Sequence, residues 1–576
     1  MSSDKLDKSD KHEKADGSSN DPYAIMLTHN LLGQPQWSFA KTLLTFTGLS
    51  LVMYMVCSAE TIFNQLLSPL KDNFKSNIYA QWMEASFLLT CVMVQPVWVK
   101  LAERFGRKWP LLASIVVFMV FSIMVGGART MGVLCVGRAL QGVGGAGMMP
   151  LALVVLTDVL TAGQRAVWMG ALGAVIIASK WSGPVVGALL LQSGSGNRWR
   201  WAGYINLPLG ALALVILYTS LRDIPGPIRR AEEGEKLRRL REFDFLGTLV
   251  WLGGSLMILL GLSWGGNEYP WRSATVVCLF VFGFLAIILF GVIEWRWAKW
   301  PIIPLTVLRR SRTVIALVAS FLIGICMYGM IMFVPVYYMM VVGESPVESA
   351  RHILWFVLGG CLGSLLAGSL VSVRGGRTFY REWAVLGCLL MTVGYGVLYT
   401  WPLAASATVR HAGFQVLVGL GLGLCMQQVL LAAQAGIPAD EVSTVTTLVD
   451  YARTLGGMIG LVIGEVILKD KMFSTVAAAF PFLGSEVFAG QDVVALEGMA
   501  PMLAQLPGAM SAGVYEGVVD ALRLVFVVDV PFAAVACVLC VALSNIPLHV
   551  VLPASRPDEV PEALYRLQQQ RNDAIV

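Results

Sequence analysis

Residues 100–126 read KLAERFGRKWPLLASIVVFMVFSIMVG. Four cations and one acid crowd the first nine positions around a glycine at 106, and no charge follows between Trp109 and Ala128. A helix rises about 1.5 Å per residue and the hydrocarbon layer of a bilayer is about 30 Å thick, so roughly 20 apolar residues cross it once. The stretch reads as a cationic turn feeding a membrane-spanning helix.

Working outward, the same pattern recurs. Apolar runs fall at about 41–64, 78–99, 109–127, 131–157, 166–192 and 201–220, then at 244–264 and 274–295, then at 312–340, 349–373, 382–400, 409–431, 447–469 and 522–546. Charges, Gly or Pro bound each run. Six, two and six runs predict an all-α polytopic membrane protein of fourteen spans. Over the 576 residues, 56% are hydrophobic and only 14% charged, and the mean hydropathy of +0.69 is more than a soluble core can hide.

The chain divides accordingly. Residues 1–40 are a polar, disordered cytosolic tail, 41–220 a first six-helix bundle, 221–243 a basic cytosolic loop and 244–295 two extra helices. Residues 296–546 form a second six-helix bundle with a long outer loop at 470–521, and 547–576 form a cytosolic tail. The tail at the N-terminus lacks the apolar core of a signal peptide.

Net charge is +5, and its placement decides what it means. With the N-terminus inside, the inner loops hold Lys100, Arg104, Arg107 and Lys108, then Arg222 through Arg241, then Arg296 through Arg312, and finally Arg374, Arg377 and Arg381. Outer loops hold far fewer cations. Positive charge kept inside puts both termini in the cytosol. Because the cations are parcelled into short connections, nucleic acid is not an expected partner.

The ten cysteines lie in apolar stretches rather than in paired extracellular spacings. Cys537 and Cys540 form a C-x-x-C inside an apolar run with no neighbouring His, so neither a metal site nor a disulfide framework is expected. No G-x-x-x-x-G-K-[ST] string supplies a nucleotide site. The chain reads as a carrier and not an enzyme, with no cofactor and an ion gradient as its energy source.

The two six-helix blocks echo each other. Arg104 to Lys108 after the second helix is matched by Arg374 to Thr378 after the second helix of the last block, and glycine-rich helices follow at 142–147 and 419–423. Repeated halves are the architecture of secondary transporters, with the substrate between them.

Several strings now carry a resemblance. Leu101 to Trp109 (LAERFGRKW) is similar to the G-x-L-A-D-R-x-G-R-K signature, with Glu103 in place of Asp. Arg138 to Gly144 (RALQGVG) matches R-x-x-x-G-x-G, and Ser182 to Gly187 (SGPVVG) resembles the antiporter element G-P-x-x-G-G, with Ala188 at its second glycine. Trp199 to Pro208 (WRWAGYINLP) and Asp244 to Gly247 (DFLG) resemble elements of the fourteen-helix branch, and Ala59 to Ile62 (AETI) loosely represents its L-D-x-T-I. Over residues 40–546 the chain resembles the major facilitator superfamily, in its fourteen-helix drug:proton antiporter branch of fungal-type toxin and multidrug efflux pumps.

The resemblance implies a secondary active transporter that exports small amphipathic organic molecules, such as drugs, toxins and secondary metabolites, in exchange for protons. It implies a monomer in the lipid bilayer, placed in the plasma membrane with the vacuolar membrane as the alternative. A carrier of one metabolite or siderophore-like compound, or a transport-dead nutrient sensor, are other uses of the same fold.

Charged residues inside the spans supply candidates. Glu60, Glu84, Arg138 and Lys180 fall in the outer half of the first bundle, two acids against two bases. They are expected to form a proton-coupling network with Glu60 as first carrier and Glu84 as second. Glu103, Arg104, Gly106, Arg107 and Lys108 are expected to gate as a latch, and Gly183, Pro184 and Gly187 to let α-helices cross closely. Asp450 and Arg453, three apart on one helical face, are expected to pair at the inner mouth. If the family pattern holds, Met327, Tyr328, Phe333 and Tyr337, with Gln427, Gln428 and Gln434, line the substrate cavity. Asp529 and Glu465 are intramembrane acids without an obvious partner.

Overall fold

The computed structural model describes residues 38–63, 66, 70, 74, 82–160, 162–192, 197–221, 244–266, 269–296, 305–373, 379–399, 408–437, 441–479, 508–543 and 545. Among the described residues, fourteen helices are long and apolar enough to cross a membrane. They are α1 (Phe39–Thr61), α2 (Ala85–Phe105), α3 (Lys108–Gly126), α4 (Met131–Val159), α5 (Gln164–Leu191), α6 (Arg198–Ser220), α7 (Phe245–Trp264) and α8 (Ala274–Arg296). The second block holds α9 (Ser311–Val342), α10 (Val347–Val371), α11 (Tyr380–Leu398), α12 (His411–Gln434), α13 (Val442–Lys471) and α14 (Gly517–Ala542). The tails, the basic loop 222–243, the 374–378 echo and the side chain of Glu84 lie outside the described residues.

Two boundaries differ from the expected ones. The second helix was expected to end near residue 99, yet it runs to Phe105 and stops only at Gly106, whose φ of +84° is the left-handed conformation that a glycine adopts freely. Glu103 and Arg104 therefore ride on the last turn of α2, with Arg104 at the negative end of the helix dipole. The 470–521 loop also shrinks. Helical structure continues to Ala479 and resumes at Gly508, leaving 480–507 outside the described residues.

The two blocks each build a bundle around tight crossings of small residues. In the first, Gly144 of α4 lies so close to Phe118 of α3 that a Cβ would meet its backbone nitrogen at 2.5 Å. In the second, Gly419 and Gly423 of α12 lie against the backbone of α10 at Phe356 and Gly360. Two seams join the bundles. Along one, α5 packs on α10, with Ser364 Oγ donating to the Gly170 carbonyl at 2.8 Å and Trp181 donating to the Ala350 carbonyl at 3.1 Å.

Along the other seam α2 faces α13, and the extra pair covers it. Asp244 caps α7 by accepting from the Gly247 N–H at 2.8 Å, which is the work of the D-x-x-G string. Trp251 of α7 donates to the Met93 carbonyl of α2 at 3.1 Å and sets its ring 5.8 Å from that of Tyr451 on α13. Helix α8 packs outside α7 and exposes Phe282, Phe284, Ile288 and Trp295. Apolar side chains this exposed are at home in lipid and costly in water.

Candidate functional site

Pro184 breaks the hydrogen-bond ladder of α5. It has no N–H, so the carbonyl four residues earlier, that of Lys180, has no helical donor. The Thr61 hydroxyl at the end of α1 donates to that carbonyl at 2.9 Å. Gly183 makes the approach possible, since a Cβ there would meet the Thr61 hydroxyl and lie 2.7 Å from the Ser58 carbonyl. Gly187, one turn on, is also buried. The glycine-proline element thus docks α5 on the end of α1 and carries Lys180 to the residue beside Thr61.

That residue is Glu60. Lys180 Nζ forms an ion pair with Glu60 Oε2, and the Tyr328 hydroxyl of α9 donates to Glu60 Oε1. Lys180 also donates to the Tyr328 oxygen at 2.9 Å, with its ammonium 4.4 Å from the ring centroid. All three are buried, Lys180 to 1% exposure. Gly457 of α13 leaves the space that the Tyr328 ring fills. A carboxylate and an ammonium from the first bundle are therefore closed by a phenol from the second. Tyr328, expected as a substrate contact, is the third member of the charged cluster.

One cavity is lined by Glu60 and Tyr328 together with Gln95, Asp450, Val56 and Phe87. Asp450 pairs with Arg453 and accepts from Gln95 Nε2 of α2 at 2.8 Å. Asp450 and Arg453 pair as their spacing predicts. Asp450 lies eight residues into α13, about 12 Å from its start, and both partners are 1–2% exposed. Asp450 joins the bundles through Gln95 of α2 and lines the same cavity as Glu60. Gln95 was missed by sequence reasoning; its one signal is a polar side chain beside Pro96 in the apolar middle of α2.

Arg138 reaches the backbone at the end of α1. Its guanidinium donates to the Ala59 carbonyl at 3.0 Å, the Met83 carbonyl at 3.2 Å and Gln141 Oε1 at 3.1 Å, between the rings of Phe63 and Phe87. The carbonyls of a helix's last turn lack helical donors, so a fully buried cation there both satisfies one and meets the negative end of the α1 dipole. Gln141 in turn donates to Ser122 at 2.7 Å, tying α4 to α3. Of the four residues expected to form one network, Glu60 and Lys180 pair directly, Arg138 holds the end of α1, and the Glu84 side chain lies outside the described residues.

At the Gly106 end the latch residues meet the start of α13. Glu103 accepts from Thr444 and from Lys100, the latter at 2.7 Å. Arg107 donates to Ser443 at 2.6 Å and pairs with Asp158 of α4 at 2.9 Å. Lys108 turns away, donating to the Tyr218 carbonyl of α6 at 2.8 Å and lying over the Tyr218 ring. Ser443, Thr444 and Asp158 were not anticipated, because the cationic loop alone does not say which helix answers it.

The remaining candidates separate. Phe333 packs on Gly464 of α13, and Tyr337 lies beside His411 of α12 with ring centroids 6.1 Å apart, so both pack within the second bundle and do not line the cavity. Gln427 and Gln428 of α12 are buried, and Gln427 faces Gly173 of α5 across the seam, 2.9 Å from where a Cβ would stand.

Comparison with known proteins agrees with this architecture. The family model of the Major Facilitator Superfamily matches residues 49–461. The chain is 30% identical over 510 residues to the efflux pump dotC of Dothistroma septosporum, covering 87% of this chain and 84% of that protein. It is 29% identical over 538 residues to the multidrug transporter protein MdtP of Bacillus subtilis, covering 88% and 94%. A crystal structure of the human organic anion transporter MFSD10 superposes with a TM-score of 0.54 at 11% identity, over 88% of this chain and all of that one, and shows the likeness of fold. With fourteen apolar helices, two bundles meeting at a buried charged seam and a family match over most of its length, this chain is a membrane transporter of the Major Facilitator Superfamily.

Proposed function

We propose that this chain, acting as a monomer, exports small amphipathic organic molecules in exchange for protons, with Glu60 as the proton carrier. The observation that carries the reading is the Glu60–Lys180–Tyr328 cluster, in which one carboxylate holds a cation of its own bundle and a phenol of the other.

A buried ion pair is stabilised only while both charges are present. Proton arrival on Glu60 cancels the attraction for Lys180 and turns a charged hydrogen bond to Tyr328 into a weaker neutral one. The two bundles then lose a tie at that level and separate there. Loss of the proton restores the carboxylate and draws Tyr328 back. Alternating access follows if Glu60 exchanges its proton with opposite sides of the membrane in the two arrangements. Arg138 contributes by fixing the end of α1, and Glu103 with Arg107 by closing the Gly106 end on α13.

Kinship with efflux pumps supports the direction of transport, and the buried, charge-balanced cavity supports an ion gradient as the drive. The test is intracellular accumulation of amphipathic dyes and toxins in efflux-deficient cells, with and without a protonophore. Lower accumulation that vanishes with protonophore and in Glu60→Gln, at equal membrane levels, is the expected result. Normal efflux by Glu60→Gln removes Glu60 as the carrier. No change for any compound redirects the reading to a carrier of one metabolite.

A further inference from the structure

Gln427 and Gln428 present four amide nitrogen and oxygen atoms that are buried and have no hydrogen-bond partner among the described residues. Their residues are 1% and 0% exposed. Buried amides are ordinarily satisfied, and at membrane depth no bulk water is at hand to do it. On the same helix the Gln434 amide nitrogen does find a partner, donating to Thr446 at 2.7 Å.

Their position is informative. Gln427 faces Gly173 of α5, whose missing side chain leaves the amide nitrogen 3.0 Å from the point where a Cβ would sit. Gly173 and Lys180 are seven residues apart on α5, which places them on one face of the helix about 10 Å apart. The Gln427 amide and the Glu60 cluster thus lie along the same stripe of α5, within the length of one small polycyclic molecule, and Gln428 is the next residue on α12.

The charges of the nearby cavity are already committed. Glu60 is held by Lys180 and Tyr328, and Asp450 by Arg453 and Gln95. Neither cavity carboxylate is left over to hold an organic cation, whereas the amides offer both donors and acceptors to an uncharged one.

We propose that Gln427 and Gln428 form the polar contact of the substrate site, and that the site takes uncharged organic molecules bearing neighbouring hydroxyl and carbonyl groups rather than organic cations. This rests on the export reading in taking the seam between the bundles as the substrate path. Amides that must be paired reject a ligand lacking the matching groups, because the mismatch leaves them buried and unpaired.

The experiment is equilibrium binding to the full chain in lipid nanodiscs, read by quenching of tryptophan fluorescence. The probes are 1,8-dihydroxyanthraquinone, its 1,8-dimethoxy counterpart and ethidium. The dihydroxy compound is expected to bind, the dimethoxy compound to bind more weakly by about tenfold, and the Gln427→Met/Gln428→Met variant to lose the difference between them. Gly173→Leu, which blocks the amide from the opposite bundle, is expected to weaken the dihydroxy compound as well and serves if the double variant does not fold. Ethidium binding more tightly than the dihydroxy compound, or dihydroxyanthraquinone binding unaltered by both variants, overturns the proposal. Binding needs no transport, so a chain that binds as expected yet fails the efflux assay refutes the export reading and leaves this one standing.

Discussion

The Thr61 hydroxyl donates at 2.9 Å to the Lys180 carbonyl, the one that Pro184 deprives of its helical partner. A break in one helix is thereby mended by another, and the mend sets Lys180 against Glu60. Replacing Thr61 by Val is expected to leave a buried carbonyl unpaired and to cost about 1–3 kcal/mol, seen as a lower melting temperature in detergent. Pro184→Ala returns an N–H to position 184. Combined with Thr61→Val it is expected to recover much of the lost stability, so the double variant should be more stable than Thr61→Val alone. An additive loss in the double variant contradicts the assignment.

Glu60 and Lys180 form a pair in which each charge needs the other. Glu60→Gln leaves a buried ammonium without its carboxylate, a loss of about 3–5 kcal/mol. Glu60→Gln with Lys180→Met removes both charges and is expected to melt close to the parent, while still failing to couple transport to protons. Stability and coupling are thereby separated. If the double variant is as unstable as Glu60→Gln, the pair is not the unit that holds α1 to α5.

How much of this was legible beforehand depends on the physical signal. Hydropathy marks all fourteen spans, since the bilayer leaves a helix little alternative. Glu60, Lys180 and Asp450 stand out because charge in a span is expensive. Tyr328 as their partner does not, because it lies 268 residues from Glu60 and a phenol in an apolar helix looks like packing. Arg138 stands out for its charge, but its backbone partners do not. Only the folded chain shows that the carbonyl of Ala59, one residue before Glu60, lies within its reach.

The Gly106 end offers a test of gating. Arg107 bonds Ser443 and Asp158 together, and Glu103 holds Thr444. Arg107→Ala removes both of its ties and is expected to shift the population toward an arrangement open at that end. In a cysteine-free background, a Thr444→Cys reporter should then react several-fold faster with a water-soluble maleimide than it does beside Arg107. An unchanged rate means that the interaction with α13 is incidental to closure.

Asp529 provides the contrast to Glu60. It is 5% exposed on α14, its side chain has no hydrogen-bond or ion-pair partner among the described residues, and its Oδ2 lies 2.5 Å from the Cβ position of Gly329 on α9. The groups around it are Cys326, whose thiol reaches the Asp529 carbonyl, and Tyr395, whose hydroxyl donates to the Cys326 carbonyl. No cation depends on this carboxyl, unlike Glu60. Asp529→Asn keeps the shape without demanding charge and is expected to cost well under the about 3–5 kcal/mol of breaking a buried ion pair. Gly329→Ala pushes a methyl group into the same side chain and is expected to destabilise by about 1–3 kcal/mol. Should Asp529→Asn instead melt as low as Glu60→Gln, Asp529 has a charged partner in the folded protein, and its place as an isolated polar contact between α9 and α14 is wrong.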